Sequence, residues 1–193
     1  MGSILKHLLI ILAIFSTPLF SSIKYDLKDL IKKCGQKDAQ SCFRAGQLSP
    51  KDQKFQYFIK GCHLDHENSC ISVGNKYTLD KNKDEAFKYY NKFCLKKSGK
   101  SCFITGSLFY ATKDIKKALE YYQISCDLNF SSACRNLGAI HQSRGDRVKA
   151  LSFFQRACYL GETASCKNLG NIYSQVGDAK KAKEFLNLAK NKK

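Results

Sequence analysis

From residue 23 onward, apolar positions recur at intervals of three and four along almost the whole chain. In CKNLGNIYSQVGDAKKAKEFLNLAK, Leu169, Ile172, Tyr173 and Val176 form one such set, and Ala179, Ala182, Phe185, Leu186 and Ala189 form a second. The spacing is helical, because side chains three and four apart share one face of an α-helix. Val176-Gly177-Asp178 separates the two sets. Glycine suits the left-handed position that ends a helix, and aspartate can accept the orphan backbone N–H groups of the next. Gly145 with Asp146 repeats the arrangement, and Asp114 and Asn82 are the matching caps elsewhere. The pattern predicts an all-α chain of short helix pairs.

The pairs repeat. Ten cysteines sit at 34 and 42, 62 and 70, 94 and 102, 126 and 134, and 158 and 166, five C-x7-C pairs whose starts are 28, 32, 32 and 32 residues apart. A glycine follows each second cysteine by four places, at Gly46, Gly74, Gly106, Gly138 and Gly170. Ala86, Ala118, Ala150 and Ala182 form a further column, and an apolar doublet comes three residues after each: Tyr89 and Tyr90, Tyr121 and Tyr122, Phe153 and Phe154, Phe185 and Leu186. Tyr57 and Phe58 are the doublet of a shortened first unit. A glycine inside a helix costs about 1 kcal/mol against alanine. Its recurrence at one place in every unit is the signature of close helix approach, and the doublets read as core. Such periods indicate a solenoid in which each unit contacts only its neighbours.

What the cysteines do follows from their spacing. A zinc knuckle wants two to four intervening residues, and a thioredoxin-type redox motif wants two. On one continuous helix the two members of a pair would stand about 12 Å apart, too far to bond. If the seven intervening residues instead break between helices, antiparallel neighbours bring the pair together. The linkers are polar and small near their second cysteine, as in HLDHENS and YLGETAS, which reads as a helix start with a serine cap. The expectation is therefore local pairing: Cys34 with Cys42, Cys62 with Cys70, Cys94 with Cys102, Cys126 with Cys134, and Cys158 with Cys166. Each nine-residue loop would contribute about 2.5 kcal/mol by loop-closure entropy. No thiol is left for catalysis.

Composition changes the picture in two ways. The first 21 residues, MGSILKHLLIILAIFSTPLFS, read as a secretory signal peptide: Lys6, an apolar run from Leu8 to Phe15, then small residues. That run is too short for a membrane span, which needs about 20 residues. Residues 22–193 then form a single repeat domain, with a half-unit over 23–33 and units starting at 34, 62, 94, 126 and 158, secreted or periplasmic, where disulfides persist. The formal net charge is +17, from 33 Lys plus Arg against 16 Asp plus Glu. The lysines are interleaved throughout the sequence rather than packed in one block, so they read as a solvated face, with no nucleic-acid partner.

Two-helix units with a packing glycine, a later alanine, an aromatic doublet and C-x7-C at each junction resemble the Sel-1-like repeat branch of the tetratricopeptide superfamily. The cysteine placement is similar to that of the Helicobacter cysteine-rich proteins. The units are shorter than is usual there, because the turn between the helices is cut to the Val-Gly-Asp type. The resemblance implies a right-handed α/α superhelix (solenoid), a monomer, and a concave face that binds a peptide, a protein or a peptidoglycan fragment. By the same resemblance the residues after the column glycines face inward: Gln47, Asn75, Ser107, Ala139 and Asn171. One turn earlier stand Phe43, Ile71, Phe103, Arg135 and Lys167. Asn75, Arg135, Lys167 and Asn171 are the binding-face candidates, and Lys167 with Asn171 resembles half of a carboxylate clamp.

Family members are also described as weak penicillin-binding or β-lactamase proteins, which makes β-lactam hydrolysis the alternative function. A serine β-lactamase needs S-x-x-K with S-D-N and K-T-G. Ser21 to Lys24 fits the first, at the expected cleavage junction, as does Ser3 to Lys6 within the expected signal peptide, and the other two are absent from the sequence. His63 and His66 flank a polar loop beside Cys62, a cysteine already assigned to a disulfide, so no metal and no cofactor is expected. The reading leans to a non-enzymatic binding scaffold.

Overall fold

The computed structural model describes residues 26–191. The expected signal peptide and the Ser21 to Lys24 pair lie outside them. The described residues form eleven α-helices and no strands: α1 (Leu27–Gly35), α2 (Ala39–Leu48), α3 (Lys54–His63), α4 (Glu67–Leu79), α5 (Lys83–Cys94), α6 (Gly99–Ala111), α7 (Ile115–Asp127), α8 (Ser131–Ser143), α9 (Arg147–Tyr159), α10 (Thr163–Gln175) and α11 (Ala179–Asn191). Each helix packs chiefly on the helix before and the helix after it, which makes the array an α/α solenoid. The even-numbered helices are the first members of the pairs, and α3, α5, α7, α9 and α11 are the second.

Every tight turn between the 32-residue pairs and within them is closed by one residue in the left-handed region. Within pairs these are Lys81, Lys113, Gly145 and Gly177, with φ of 59°, 61°, 77° and 80°. Between pairs they are Lys37, Asp65, Lys97, Asn129 and Gly161. The next amide then folds back on the helix just ended, as in His66 N to Gly61 O, Asn82 N to Tyr77 O and Asp114 N to Phe109 O, each 2.9 Å. Such bonds satisfy carbonyls that the helix end would orphan. Asn82, Asp114, Asp146 and Asp178 cap the second helices through backbone N–H bonds from Glu85, Lys117, Lys149 and Lys181. These are the caps that the sequence pattern predicts.

The starts of the first helices differ from expectation. The caps are Asp38, His66 and Ser98, with Phe130 and Glu162 at the equivalent places making no side-chain cap bond. The residue before each second cysteine lies three residues further on, inside the helix and buried: Ser41, Ser69, Ser101 and Ser165, with Ala133 in the remaining unit. Ser41 donates to Asp38 Oδ2 at 2.6 Å, and Ser101 donates to Glu67 Oε1 at 2.6 Å. The helices thus begin three residues earlier than the polar composition suggests; the hydroxyls of Ser41 and Ser69 bond their caps, Asp38 and His66, whereas that of Ser165 is buried without a hydrogen-bond partner among the described residues.

The junctions are closed covalently. All five local pairs are bonded, with Cα–Cα distances of 4.6, 4.5, 4.5, 4.8 and 4.7 Å along the chain. No described cysteine is free. Each bond ties the last turn of one helix to the first turn of the next, across the left-handed residue.

Inside each pair the column glycine meets the second member of the doublet. A Cβ built on Gly46, Gly74, Gly106, Gly138 or Gly170 would stand 2.5, 2.4, 2.7, 2.7 or 2.6 Å from Phe58, Tyr90, Tyr122, Phe154 or Leu186. No real side chain fits there, so glycine lets the two helices close on the ring. The alanine column, Ala86, Ala118, Ala150 and Ala182, is buried in the same interface. The first doublet member stacks outward on the end of the first helix: Tyr77 on Tyr89, Phe109 on Tyr121, His141 on Phe153 and Tyr173 on Phe185, all with centroids 5.5 Å apart.

Candidate binding face

The helices α4, α6, α8 and α10, the first members of their pairs, lie along one face of the solenoid. Two hollows on it occupy the same register. One lies between α4 and α6, lined by Thr78, Tyr90, Ile104, Ser107, Leu108 and Ala111, with a volume of about 190 Å³. The other, of about 180 Å³, lies between α6 and α8 and is lined by Tyr110, Tyr122, Asn136, Ala139, Ile140 and Ser143. Counted from the second cysteine of its unit, each lining residue of the first hollow has its counterpart 32 positions later in the second.

The floor of each hollow is a tyrosine from the second helix, held by the pair it belongs to. Tyr90, 3 % exposed, donates its hydroxyl to Asn75 Oδ1 at 2.7 Å and lies 3.1 Å from Thr78 Oγ1. Burial pushes the Tyr90 phenol above its ordinary value, so the hydroxyl stays protonated and can donate. Tyr122 donates to Ser107 Oγ at 3.2 Å. Where the sequence has Phe154 and Leu186, the matching partners are Ala139 and Asn171, with no hydroxyl to satisfy. Asn75 is therefore committed through its oxygen to the fold as well as being exposed on the face.

The row one turn earlier turns toward the next unit. Phe43 stacks on His66 at 4.7 Å, Phe103 packs on Phe130 at 5.1 Å, and Arg135 Nε lies 3.7 Å from Glu162 Oε1. His66, Phe130 and Glu162 all hold the helix-start position of the following unit. Arg135 thus serves as lateral cement between α8 and α10. Lys167, the next member of that row, is exposed on α10, as is Asn171. Of the four residues that the sequence brings forward, Lys167 and Asn171 present exposed polar ends, while Asn75 and Arg135 make intramolecular contacts.

More lateral bonds run along the edge where the disulfides lie. His66 Nε2 and Gln40 Oε1 are 2.8 Å apart, Glu67 accepts from Ser98 and Ser101, and Lys100 donates to Asn68 Oδ1 at 2.6 Å. Asp65 receives Lys92 and Lys96 at 2.9 and 2.8 Å, and these lysine bonds hold its carboxyl down at about 2. Arg156 bridges to Asp127 at 2.9 Å. His66 Nδ1 accepts the Ser69 N–H at 3.2 Å. Burial lowers the pKa of this imidazole, with Glu67 and Asp38 opposing. Among the described residues, no group of three His, Cys, Asp or Glu side chains could hold a metal ion. No helix among them is long and apolar enough to cross a membrane.

The comparisons agree with this architecture. Residues 70–98 and 99–130 match the Sel1 repeat, and residues 133–162 and 164–191 match tetratricopeptide repeats. The fold is similar to that of a Sel1 repeat protein from Oxalobacter formigenes, with a TM-score of 0.70 at 20 % identity over 86 % of this chain and 78 % of that one. It is similar to c5321, a protective antigen of uropathogenic Escherichia coli, with a TM-score of 0.68 at 16 % identity, covering 87 % of this chain and 41 % of the antigen. A chain of the APC/C hetero-tetramer Cut9-Hcn1 superposes at 0.54, with 19 % identity over 85 % of this chain and 36 % of that one. No curated protein matches in sequence. From residue 70 to residue 191 the chain is thus built of Sel1 and tetratricopeptide repeats, stacked as an α/α solenoid with a disulfide at each junction.

Proposed function

We propose that the protein is an extracytoplasmic scaffold that holds an extended segment of another protein, or a peptide-bearing cell-wall fragment, along the face of α4, α6, α8 and α10. The observation that carries this reading is the pair of register-equivalent hollows with tyrosine floors. A ligand with a regular backbone can place one side chain in each, while polar residues at the rims, Asn136 in the second hollow and Asn171 in the following unit, offer amide groups to its backbone. Five disulfides suit an oxidising compartment, and Lys167 beside Asn171 suits a ligand that ends in a carboxylate.

Selection from a displayed peptide library on the oxidised protein, followed by titration of the selected peptides, tests the reading. Ser107→Arg and Ala139→Arg, which fill the two hollows from half-exposed and exposed positions, are expected to weaken binding at least about tenfold, equivalent to about 1.4 kcal/mol, with melting unchanged for Ala139→Arg and lowered for Ser107→Arg, which takes the acceptor from the Tyr122 hydroxyl. Peptides that bind both variants as tightly as the parent would refute it.

A further inference from the structure

We propose that the edge formed by the turns within the last three helix pairs is a second binding surface, for a linear acidic polysaccharide. Interleaved along the sequence, the cations come into register in three dimensions. The turn from α6 to α7 carries Lys113, Lys116 and Lys117 against the cap Asp114. The turn from α8 to α9 carries Arg144, Arg147 and Lys149 against Asp146, and the turn from α10 to α11 carries Lys180, Lys181 and Lys183 against Asp178. All nine cations are exposed. Because the pairs stack in one sense, the three turns share an edge of the solenoid, with one cationic triad per unit.

The placement is locally unfavourable. These residues sit at or beside the starts of α7, α9 and α11, where the helix dipole is positive and acidic side chains would stabilise; none of the three helices has an acidic residue in its first turn. The α5 start differs, with Asp84 and Glu85 in its first turn. A row of cations kept against the dipole, each answered by a single aspartate, leaves an excess of positive charge that an anionic partner would neutralise.

Two features select the class of partner. Hollows of about 350 and 360 Å³ open between successive turns, one lined by Lys83, Asp84, Phe87, Phe109, Lys117, Glu120 and Tyr121, the other by Arg147, Leu151 and Ile172 among others. Their volumes fall in the range of small-ligand sites. Aromatic rings lie under the ammonium groups: Lys83 and Lys117 stand 4.8 and 5.2 Å from the Phe109 centroid, and Lys181 stands 5.1 Å from that of Tyr173. Rings and apolar walls beneath regularly spaced cations fit sugar C–H faces carrying repeated sulfate or carboxylate groups. A narrow edge presents a line rather than a plane, so it fits a polymer better than a bilayer. The five disulfides suit an oxidising compartment rather than a cytosolic one.

The test uses the oxidised chain, dextran sulfate as probe, and neutral dextran and duplex DNA as comparators, at several salt concentrations. Dextran sulfate is expected to bind at about 0.15 M salt with affinity falling steeply as salt rises, by counterion release, and neutral dextran is not. Lys117→Ala, Lys149→Ala and Lys181→Ala combined should reduce affinity about tenfold or more and flatten the salt slope. A charge-matched triple at the disulfide edge, Lys60→Ala, Lys96→Ala and Lys100→Ala, should stay within about twofold of the parent. Equal losses in the two triples, no binding of dextran sulfate, or tighter binding of duplex DNA would each overturn the proposal. Circular dichroism melts of both triples establish that the fold is intact. Peptide capture by the helix face is not touched by these substitutions, so the two sites fail or stand separately.

Discussion

The ring of Tyr122 lies where a side chain at position 106 would begin: a Cβ on Gly106 would stand 2.7 Å from Tyr122 Cδ1 and 3.3 Å from the Ala118 carbonyl oxygen. The ring is buried, at 2 % exposure. Gly106→Ala therefore sets about 1 kcal/mol of gained helix propensity against about 1–3 kcal/mol of overpacking. The expected outcome is a net loss of up to about 2 kcal/mol, seen as a lower urea midpoint at constant slope. Gly35→Ala, where nothing lies within 4 Å, is the control and should cost nothing measurable.

Tyr90→Phe removes a hydroxyl bonded to Asn75 and in reach of Thr78 while keeping the ring. The loss should be about 1–2 kcal/mol, because the Asn75 oxygen gives up its donor. The added change Asn75→Ala should then cost much less than it does alone, a coupling that a double-mutant cycle in urea would measure.

Replacing Cys126 and Cys134 together by alanine opens one junction. Both are fully buried, so alanine leaves no orphaned polar group. The cost should be about 2–4 kcal/mol. Because each unit contacts only its neighbours, protection in hydrogen exchange should fall around α7 and α8 and hold in α2 and α3.

His66 makes stability depend on pH. Its folded-state pKa is lowered by burial, and only the neutral ring can accept the Ser69 N–H. The unfolded chain therefore binds more protons, so this contribution is complete above the ordinary histidine value of about 6.5 and is lost as pH falls below it toward the folded pKa. Asp65 holds its charge down to about 2, well below that window. Melting at pH 7.5 and 5.5 should show a larger drop for the parent than for His66→Asn, which keeps a cap without titrating. Equal drops would show that the imidazole has no part in it.

Lys81 holds a left-handed conformation, φ 59°, at the turn position where two later units have glycine. Lys81→Gly relieves about 1–2 kcal/mol of strain and loses about 0.5–1 kcal/mol to chain entropy. A gain of up to about 1 kcal/mol is expected in thermal or urea denaturation. Gly177→Ala, by the same logic, should destabilise.

Much of this architecture is legible in the chain. Column glycines, doublets and cysteines repeat at one interval, and local sterics alone turn that interval into stacked pairs. The starts of α2, α4, α6 and α10 are less legible, because a serine that caps and a serine buried at the third helical position have the same polarity. Nor does helical period reveal which exposed flank Arg135 serves. Its partner, Glu162, is 27 positions away, and only the stacking of units tells a groove residue from one that faces its neighbour. The cationic edge is hidden for a related reason: Lys117, Lys149 and Lys181 are far apart in sequence and become neighbours through the superhelix.

The loops closed by the disulfides are all equally short, the bonded partners standing 8 positions apart in sequence. No crosslink waits for a distant stretch of polypeptide to arrive. On the extracytoplasmic reading proposed above, each ring can form from residues already delivered, in order from the amino end, so that maturation proceeds as a ratchet and needs no reshuffling of mispaired bonds.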